Sequence, residues 1–266
     1  MRATRINDIV LHHRLTGAPS DGPVVVFINS LGTDFRIWDE TVARLAGQCA
    51  TLVYDKRGHG LSDLGNARPS IATHAADLAT LLDHLAIKRA IICGLSIGGL
   101  ITLELYASRP DLVQAVILSN TAHKIGTAQS WNERIAIAET SGIAAFADGV
   151  MEKWFTPAFH SGRANELSSY RNMLTRQPVT GYVAACRALA GADLTETARK
   201  VSVPALCIVG DQDGSTPPAL VRSLADLVPG ARYEVIEGAG HIPCVEQPET
   251  FTALISAFIR SQTPGR

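Results

Sequence analysis

The stretch Ala90-Ile91-Ile92-Cys93-Gly94-Leu95-Ser96-Ile97-Gly98-Gly99-Leu100 decides how this chain folds. Its first four residues suit a fully buried strand, and from Ile97 to Ser108 apolar residues recur at the spacing of a helix packed on a sheet. Between the two, Gly94-Leu95-Ser96-Ile97-Gly98 matches G-x-S-x-G, a sharp strand-to-helix turn that holds a serine in a strained backbone conformation and lifts its hydroxyl above the sheet edge. Glycine is expected at both ends because a Cβ there would collide with the neighbouring strand or helix. Two other glycine-rich readings fail. A dinucleotide loop requires glycine where Ser96 stands, and a P-loop requires Gly-Lys-Ser/Thr where this chain has Gly98-Gly99-Leu100.

Outward from this turn, apolar strands alternate with helical patterns. Val24 to Ile28, Thr51 to Tyr54, Ala90 to Cys93, Ala115 to Ser119, Ala205 to Val209 and Tyr233 to Ile236 have the character of successive buried strands. Helical spacing recurs at Trp38 to Leu45, Ala72 to Leu85, Pro218 to Leu227 and Phe251 to Ile259. The alternation predicts an α/β fold with a mostly parallel sheet flanked by helices. Arg2 to Ile6 and Ile9 to Leu15 flank Asn7-Asp8 and predict an antiparallel hairpin leading into it. Between residues 123 and 193 the pattern turns helical, broken at Thr156-Pro157 and Gln177-Pro178, which predicts a helical cap inserted into a core formed by residues 1–122 and 194–266. An insertion between two sheet strands falls over their carboxyl ends, where an open α/β sheet carries its site. A frayed tail is expected from Ser261 to Arg266.

Composition narrows the function. The chain has 266 residues, 46% of them hydrophobic, enough for a substantial core. Lys plus Arg number 24 against 25 Asp plus Glu, a net charge of −1, and no basic stripe offers itself to nucleic acid. No apolar run approaches the ~20 residues of a membrane span, and the first residues lack a signal-peptide core, so a cytoplasmic location without a membrane partner is expected. The five cysteines form no C-x-x-C pair, which argues against a disulfide framework or structural zinc. No His, Asp and Glu cluster has metal-ligand spacing, so neither a metal nor a redox cofactor is expected.

A serine hydroxyl is a weak nucleophile at neutral pH and needs a base, which in turn needs an orienting acid. His241, in the glycine-rich loop Glu237-Gly238-Ala239-Gly240-His241 beyond a strand, is the best placed of eight histidines. The loop Gly210-Asp211-Gln212-Asp213-Gly214 follows another strand and supplies the acid, giving the chain order Ser, Asp, His. Asp213 is preferred to Asp211 because the loop must clear the strand end before turning to His241. The oxyanion of an attacked carbonyl requires two backbone N–H donors, expected from Ile97 and from Leu31 in the loop Asn29-Ser30-Leu31-Gly32. Asp55-Lys56-Arg57-Gly58-His59-Gly60 reads as a scaffold turn.

Together these motifs resemble the α/β-hydrolases across essentially the whole chain. Within them, Asn29-Ser30-Leu31-Gly32-Thr33-Asp34, Tyr54-Asp55-Lys56-Arg57-Gly58-His59-Gly60, Lys124-Ile125-Gly126-Thr127, Trp154-Phe155-Thr156-Pro157 and Gly238-Ala239-Gly240-His241-Ile242-Pro243-Cys244 resemble the 3-oxoadipate enol-lactonase family. That resemblance implies hydrolysis of a small cyclic enol ester to 3-oxoadipate, in bacterial degradation of protocatechuate and catechol. Such a lactone carries a carboxylate arm, and Trp131 and Arg134, three apart on a predicted helix, are candidates to meet it together with Trp154. The same triad also serves carboxylesterases and other small-ester or C–C bond hydrolases, and some ligand receptors use the scaffold without turnover.

Overall fold

The computed structural model describes residues 2–18 and 22–262. In chain order its strands and helices are β1 (Arg2–Ile6), β2 (Ile9–Thr16), β3 (Val24–Ile28), α1 (Asp39–Arg44), β4 (Ala50–Tyr54), α2 (Ile71–His84), β5 (Ala90–Leu95), α3 (Ile97–Ser108) and β6 (Val113–Ser119). There follow α4 (Ala128–Ser141), α5 (Ala147–Trp154), α6 (Pro157–Gly162), α7 (Ala164–Thr175), α8 (Val179–Ala190) and α9 (Thr195–Arg199). The chain then returns to the sheet through β7 (Ala205–Gly210), α10 (Pro218–Leu227), β8 (Arg232–Ile236), α11 (Pro243–Glu246) and α12 (Pro248–Ser261).

The eight strands form one sheet in the order β1-β2-β4-β3-β5-β6-β7-β8. β1 and β2 are the antiparallel hairpin, β2 runs antiparallel to β4, and the remaining neighbours are parallel. The central strands β3, β4 and β5 are buried at every residue, as parallel strands covered on both faces must be. Helices α2 and α3 pack together beside β5, while α1, α11 and α12 form a second group. After β3 the chain steps outward to β4 and then crosses back to β5, so the strand order reverses between β3 and β5. The crevice at the carboxyl ends of those two strands is where such a sheet binds its ligand.

Two expectations need correcting. β8 is an edge strand, not a buried one: only β7 pairs with it, and Val235 is 45% exposed. An apolar tetrapeptide does not distinguish a strand covered on both faces from one at the rim. The helix expected from Trp38 is preceded by a 3₁₀ turn, Phe35–Trp38, whose start is capped by the Asp34 carboxylate accepting from the Arg36 N–H. Of the expected tail, residues 263–266 lie outside the described residues, and α12 continues through Ser261.

Between β6 and β7 the chain makes only helices, α4 to α9. The two ends of this excursion are joined, since the Leu194 N–H donates to the His123 carbonyl (2.8 Å) and Lys124 pairs with Asp193 (3.2 Å). α4 packs along α8 and α5 against α7.

Candidate active site

Ser96 sits between β5 and α3 at φ 58° and ψ −120°, left-handed backbone that a serine rarely adopts. The glycines around it permit the turn: a Cβ on Gly94 would strike the Gly98 carbonyl, and one on Gly98 would strike the Ile28 carbonyl of β3. The turn is also tied to the next strand, with the Ser96 N–H donating to the Ser119 carbonyl (3.0 Å) and the Thr121 hydroxyl to the Ser96 carbonyl (2.6 Å).

His241 lies beyond β8, and its backbone N–H donates to the Trp154 carbonyl at the end of α5 (2.8 Å). Its Nδ1 is 2.9 and 3.0 Å from the two oxygens of Asp213, in the loop after β7. Both side chains are almost completely buried. Every other contact of the Asp213 carboxylate is also a donor: Oδ1 accepts from the Ser215 and Thr216 N–H groups (2.7 and 2.9 Å), and Oδ2 from the Thr216 hydroxyl (2.8 Å) and the Asn120 amide (2.9 Å). Burial alone would push this carboxyl up. The facing His241, with the Thr216 and Asn120 donors, outweighs burial and holds it below the ordinary carboxylate range. Asp211 instead accepts from the Ala239 N–H (3.1 Å) and points outward, serving the turn.

Sequence reasoning missed Asn120. It directly follows β6 at φ 47°, and its amide donates to the Gly240 carbonyl (3.2 Å) as well as to Asp213. It thereby ties the acid loop to the histidine loop. Glu246 was missed too. Its buried carboxylate accepts from the Gly240 N–H (2.8 Å), the Thr156 N–H (3.0 Å) and the Thr156 hydroxyl, joining the histidine loop to the start of α6.

The loop after β3 approaches from the other side of the crevice. Among the described residues, neither the Leu31 nor the Ile97 N–H donates to a protein acceptor. Leu31, Ser96, Trp131, Arg134, Trp154 and His241 line one cavity of about 200 Å³. The structure therefore brings Leu31, Ser96, His241 and all three expected binding residues to one space, while Ile97, next to Ser96 in the chain, is fully buried at the start of α3. The Trp131 indole donates to the Ile125 carbonyl (2.6 Å), and the Arg134 guanidinium lies over the Trp131 and Phe146 rings (5.8 and 5.3 Å). Arg134 also donates to the Tyr182 hydroxyl (3.3 Å). Lys153, unremarked in the sequence, lines the same cavity, and no Asp or Glu does so among the described residues.

Neither Arg57 nor His59 lines this cavity. Arg57 is buried on Asp77 (2.8 Å) and reaches Asp8 (2.7 Å), and His59 is wholly buried. A larger surface cleft of about 730 Å³ includes none of Ser96, Asp213 or His241, and its charged side chains other than Arg176 are paired as Arg14–Asp39, Arg36–Asp34 and His12–Asp55.

A strained serine at the switch point of a parallel sheet, sharing its cavity with a histidine that leans on a buried aspartate, defines an α/β-hydrolase. The family model described as serine aminopeptidase, S33, matches residues 20–248, and the chain belongs to this hydrolase family. It is 34% identical to 3-oxoadipate enol-lactonase 2 of Acinetobacter baylyi, over 95% of this chain and 94% of the relative. Among solved structures it resembles the enol-lactonase from Burkholderia xenovorans, 36% identical with a TM-score of 0.93, covering 97% of this chain and all of that one. A thermophilic esterase from Thermogutta terrifontis, solved with malate bound, has the same TM-score at 25% identity, covering 99% of this chain and 100% of that one.

Proposed function

We propose that the protein hydrolyses 3-oxoadipate enol-lactone to 3-oxoadipate, with Ser96 as nucleophile, His241 as base and Asp213 as orienting acid. The observation that carries this reading is a small cavity lined by Ser96, His241 and Arg134 and by no Asp or Glu among the described residues, which suits a compact ester bearing a carboxylate. The likeness to two enol-lactonases over nearly the full chain supports the same substrate.

Ser96 Oγ attacks the lactone carbonyl as its proton passes to His241. The imidazolium so formed is stabilised by Asp213, whose donors hold it ionised. The tetrahedral oxyanion accepts from the N–H groups of Leu31 and Ile97. Collapse breaks the ring C–O bond, and the enol oxygen leaves with the proton from His241. Because an enol is a better leaving group than an alkoxide, this proton transfer is less demanding than in amide hydrolysis. The enol tautomerises to the ketone, and His241 then takes a proton from water, which attacks the acyl carbonyl and returns Ser96 with free 3-oxoadipate.

Arg134, fixed by Trp131, Phe146 and Tyr182, receives the carboxylate arm, and Trp154 closes the wall. Residues 123–193 act as a cap over the site, a role supported by their joined ends and by the cavity residues they contribute. The described cysteines are all unpaired thiols, consistent with a cytoplasmic setting. The test is a panel of the lactone, a neutral aryl ester and a ring-cleavage diketone: the reading requires kcat/KM for the lactone to exceed the others by orders of magnitude, and equal turnover of the aryl ester would contradict it.

A further inference from the structure

Lys56 is 1% exposed, and its ammonium donates to the Ser30 carbonyl at 2.6 Å. It makes no ion pair among the described residues. Ser30 C=O and Leu31 N–H belong to one peptide group. The carbonyl end of that group is thus held by a charged donor, while its N–H has no protein acceptor among the described residues and Leu31 lines the cavity. The next peptide is held as well: the Gly32 N–H donates to Nε2 of His59 (3.1 Å), whose Nδ1 lies 3.2 Å from the Arg57 carbonyl. The acceptor role at Nε2 requires the proton on Nδ1 and a neutral ring, and burial does push this imidazole well below its ordinary range. Leu31 is therefore clamped on both sides by the Asp55–Gly60 turn.

We propose that Lys56 is a positioning residue for the reaction: by gripping the Ser30 carbonyl it orients and polarises the peptide whose Leu31 N–H binds the oxyanion. This rests on the serine-hydrolase reading given above. A charged donor on a carbonyl draws electron density from the N–H of the same amide and strengthens it as a donor, an effect enlarged where the local dielectric is low. Structure alone does not call for the charge. The Ser30 carbonyl also accepts from the Thr33 hydroxyl (2.9 Å), Asp55 is satisfied by His12 and the Phe35 N–H, and Asp34 by Arg36, so an apolar side chain at position 56 would leave no orphaned acceptor. Keeping a bare ammonium out of water is costly, and here the charge is placed at the opposite end of the peptide group whose N–H meets the developing negative charge.

The charged groups around Lys56 are Asp34 and Asp55, which favour its protonation, and Arg57, His59 and His74, of which His59 and His74 are pushed down by the ammonium. Burial brings Lys56 down to about 7 against the partial support of Asp55 and Asp34. Its charge is thus present below neutrality and lost above it.

The experiment compares the native protein with Lys56→Met, Lys56→Arg and Ser96→Ala on the lactone. Removing a whole oxyanion-hole donor lowers kcat by about 10²–10³-fold, so weakening one is expected to lower kcat in Lys56→Met by about tenfold with KM within about twofold. The native kcat is expected to fall above pH ~7 toward the Lys56→Met level, whereas Lys56→Arg, permanently charged, keeps its rate there. A folded Lys56→Met with native kcat overturns the proposal, as does an alkaline limb unchanged in Lys56→Arg, which decides the matter if Lys56→Met does not fold. Turnover retained in Ser96→Ala would remove the underlying reading instead.

Discussion

Asp213→Asn puts the proposed triad to its sharpest structural test. An asparagine keeps the volume but makes one end of the side chain a donor. The Oδ1 position accepts from two backbone N–H groups, Ser215 and Thr216, which cannot turn away, so the amide oxygen must take that place and the NH₂ the other. The NH₂ then meets the Asn120 amide and His241 Nδ1, where Oδ2 formerly accepted. Asn120 cannot simply flip, because its nitrogen also donates to the Gly240 carbonyl and its oxygen accepts from the Ser119 hydroxyl. Nδ1 of His241 is left to accept, which moves the ring proton to Nε2 and removes the base from Ser96. The wrong tautomer costs about 10⁴ in kcat in a serine-histidine-aspartate site, equivalent to about 5.5 kcal/mol of barrier. Asp211→Asn retains an oxygen for the Ala239 N–H and is expected to stay within about twofold of native. The assay is steady-state loss of lactone absorbance, with thermal unfolding as a control for folding. Asp213→Asn within tenfold of native, or Asp211→Asn the more damaging of the two, would refute the reasoning.

Arg134→Met is expected to raise KM for the lactone about tenfold or more, since a charged hydrogen bond contributes about 1.5–3 kcal/mol, and to leave a neutral aryl ester much less affected; equal losses on both would remove Arg134 from carboxylate binding. Glu246→Gln places an amide NH₂ among the donors of Thr156 and Gly240 and is expected to destabilise by about 1–3 kcal/mol, read from chemical denaturation, with an unchanged midpoint counting against the strut. His74, buried from α2 and pushed by burial, Lys56 and Arg57 down to about 3, is neutral in the fold and protonated in the unfolded chain between pH ~6.5 and 3. The unfolded state therefore binds more protons in that window, and stability falls as pH falls through it. Denaturation midpoints of His74→Leu are expected to fall less steeply between pH 7 and 4.5 than those of the native protein, and parallel slopes would assign the loss to other groups.

The elements that read clearly in the sequence are those whose partners are near in the chain. The Ser96 turn needs Gly94 and Gly98 two residues away on either side, the β1–β2 hairpin needs Asn7, and each of the loops bearing Asp213 and His241 follows its own strand. Asp213 was separable from Asp211 because Asp211 directly abuts the end of β7 whereas Asp213 stands two residues further along the loop. Asn120 and Glu246 were hidden for the opposite reason. Their partners Asp213, Gly240 and Thr156 are distant in sequence or ordinary in type, and the only local mark of Asn120 is an Asn at a strand end, a residue that tolerates positive φ. Trp131 and Arg134 shared a face by helical spacing, but Lys153 arrives from another helix, and spacing within one helix says nothing of what a second brings beside it. The Asp55–Gly60 turn was legible as scaffold in Arg57, bound to Asp77 and Asp8, while the reach of Lys56 to Ser30 depends on β3 and β4 being neighbours.

The most direct test of the account is the rate at which purified protein consumes freshly generated 3-oxoadipate enol-lactone, measured beside Ser96→Ala and a simple aryl ester. Rapid lactone loss with weak ester cleavage, both abolished in Ser96→Ala, is the predicted result. Lactone untouched while Ser96 still cleaves the ester would contradict the substrate assignment, and lactone turnover that survives Ser96→Ala would contradict the serine mechanism.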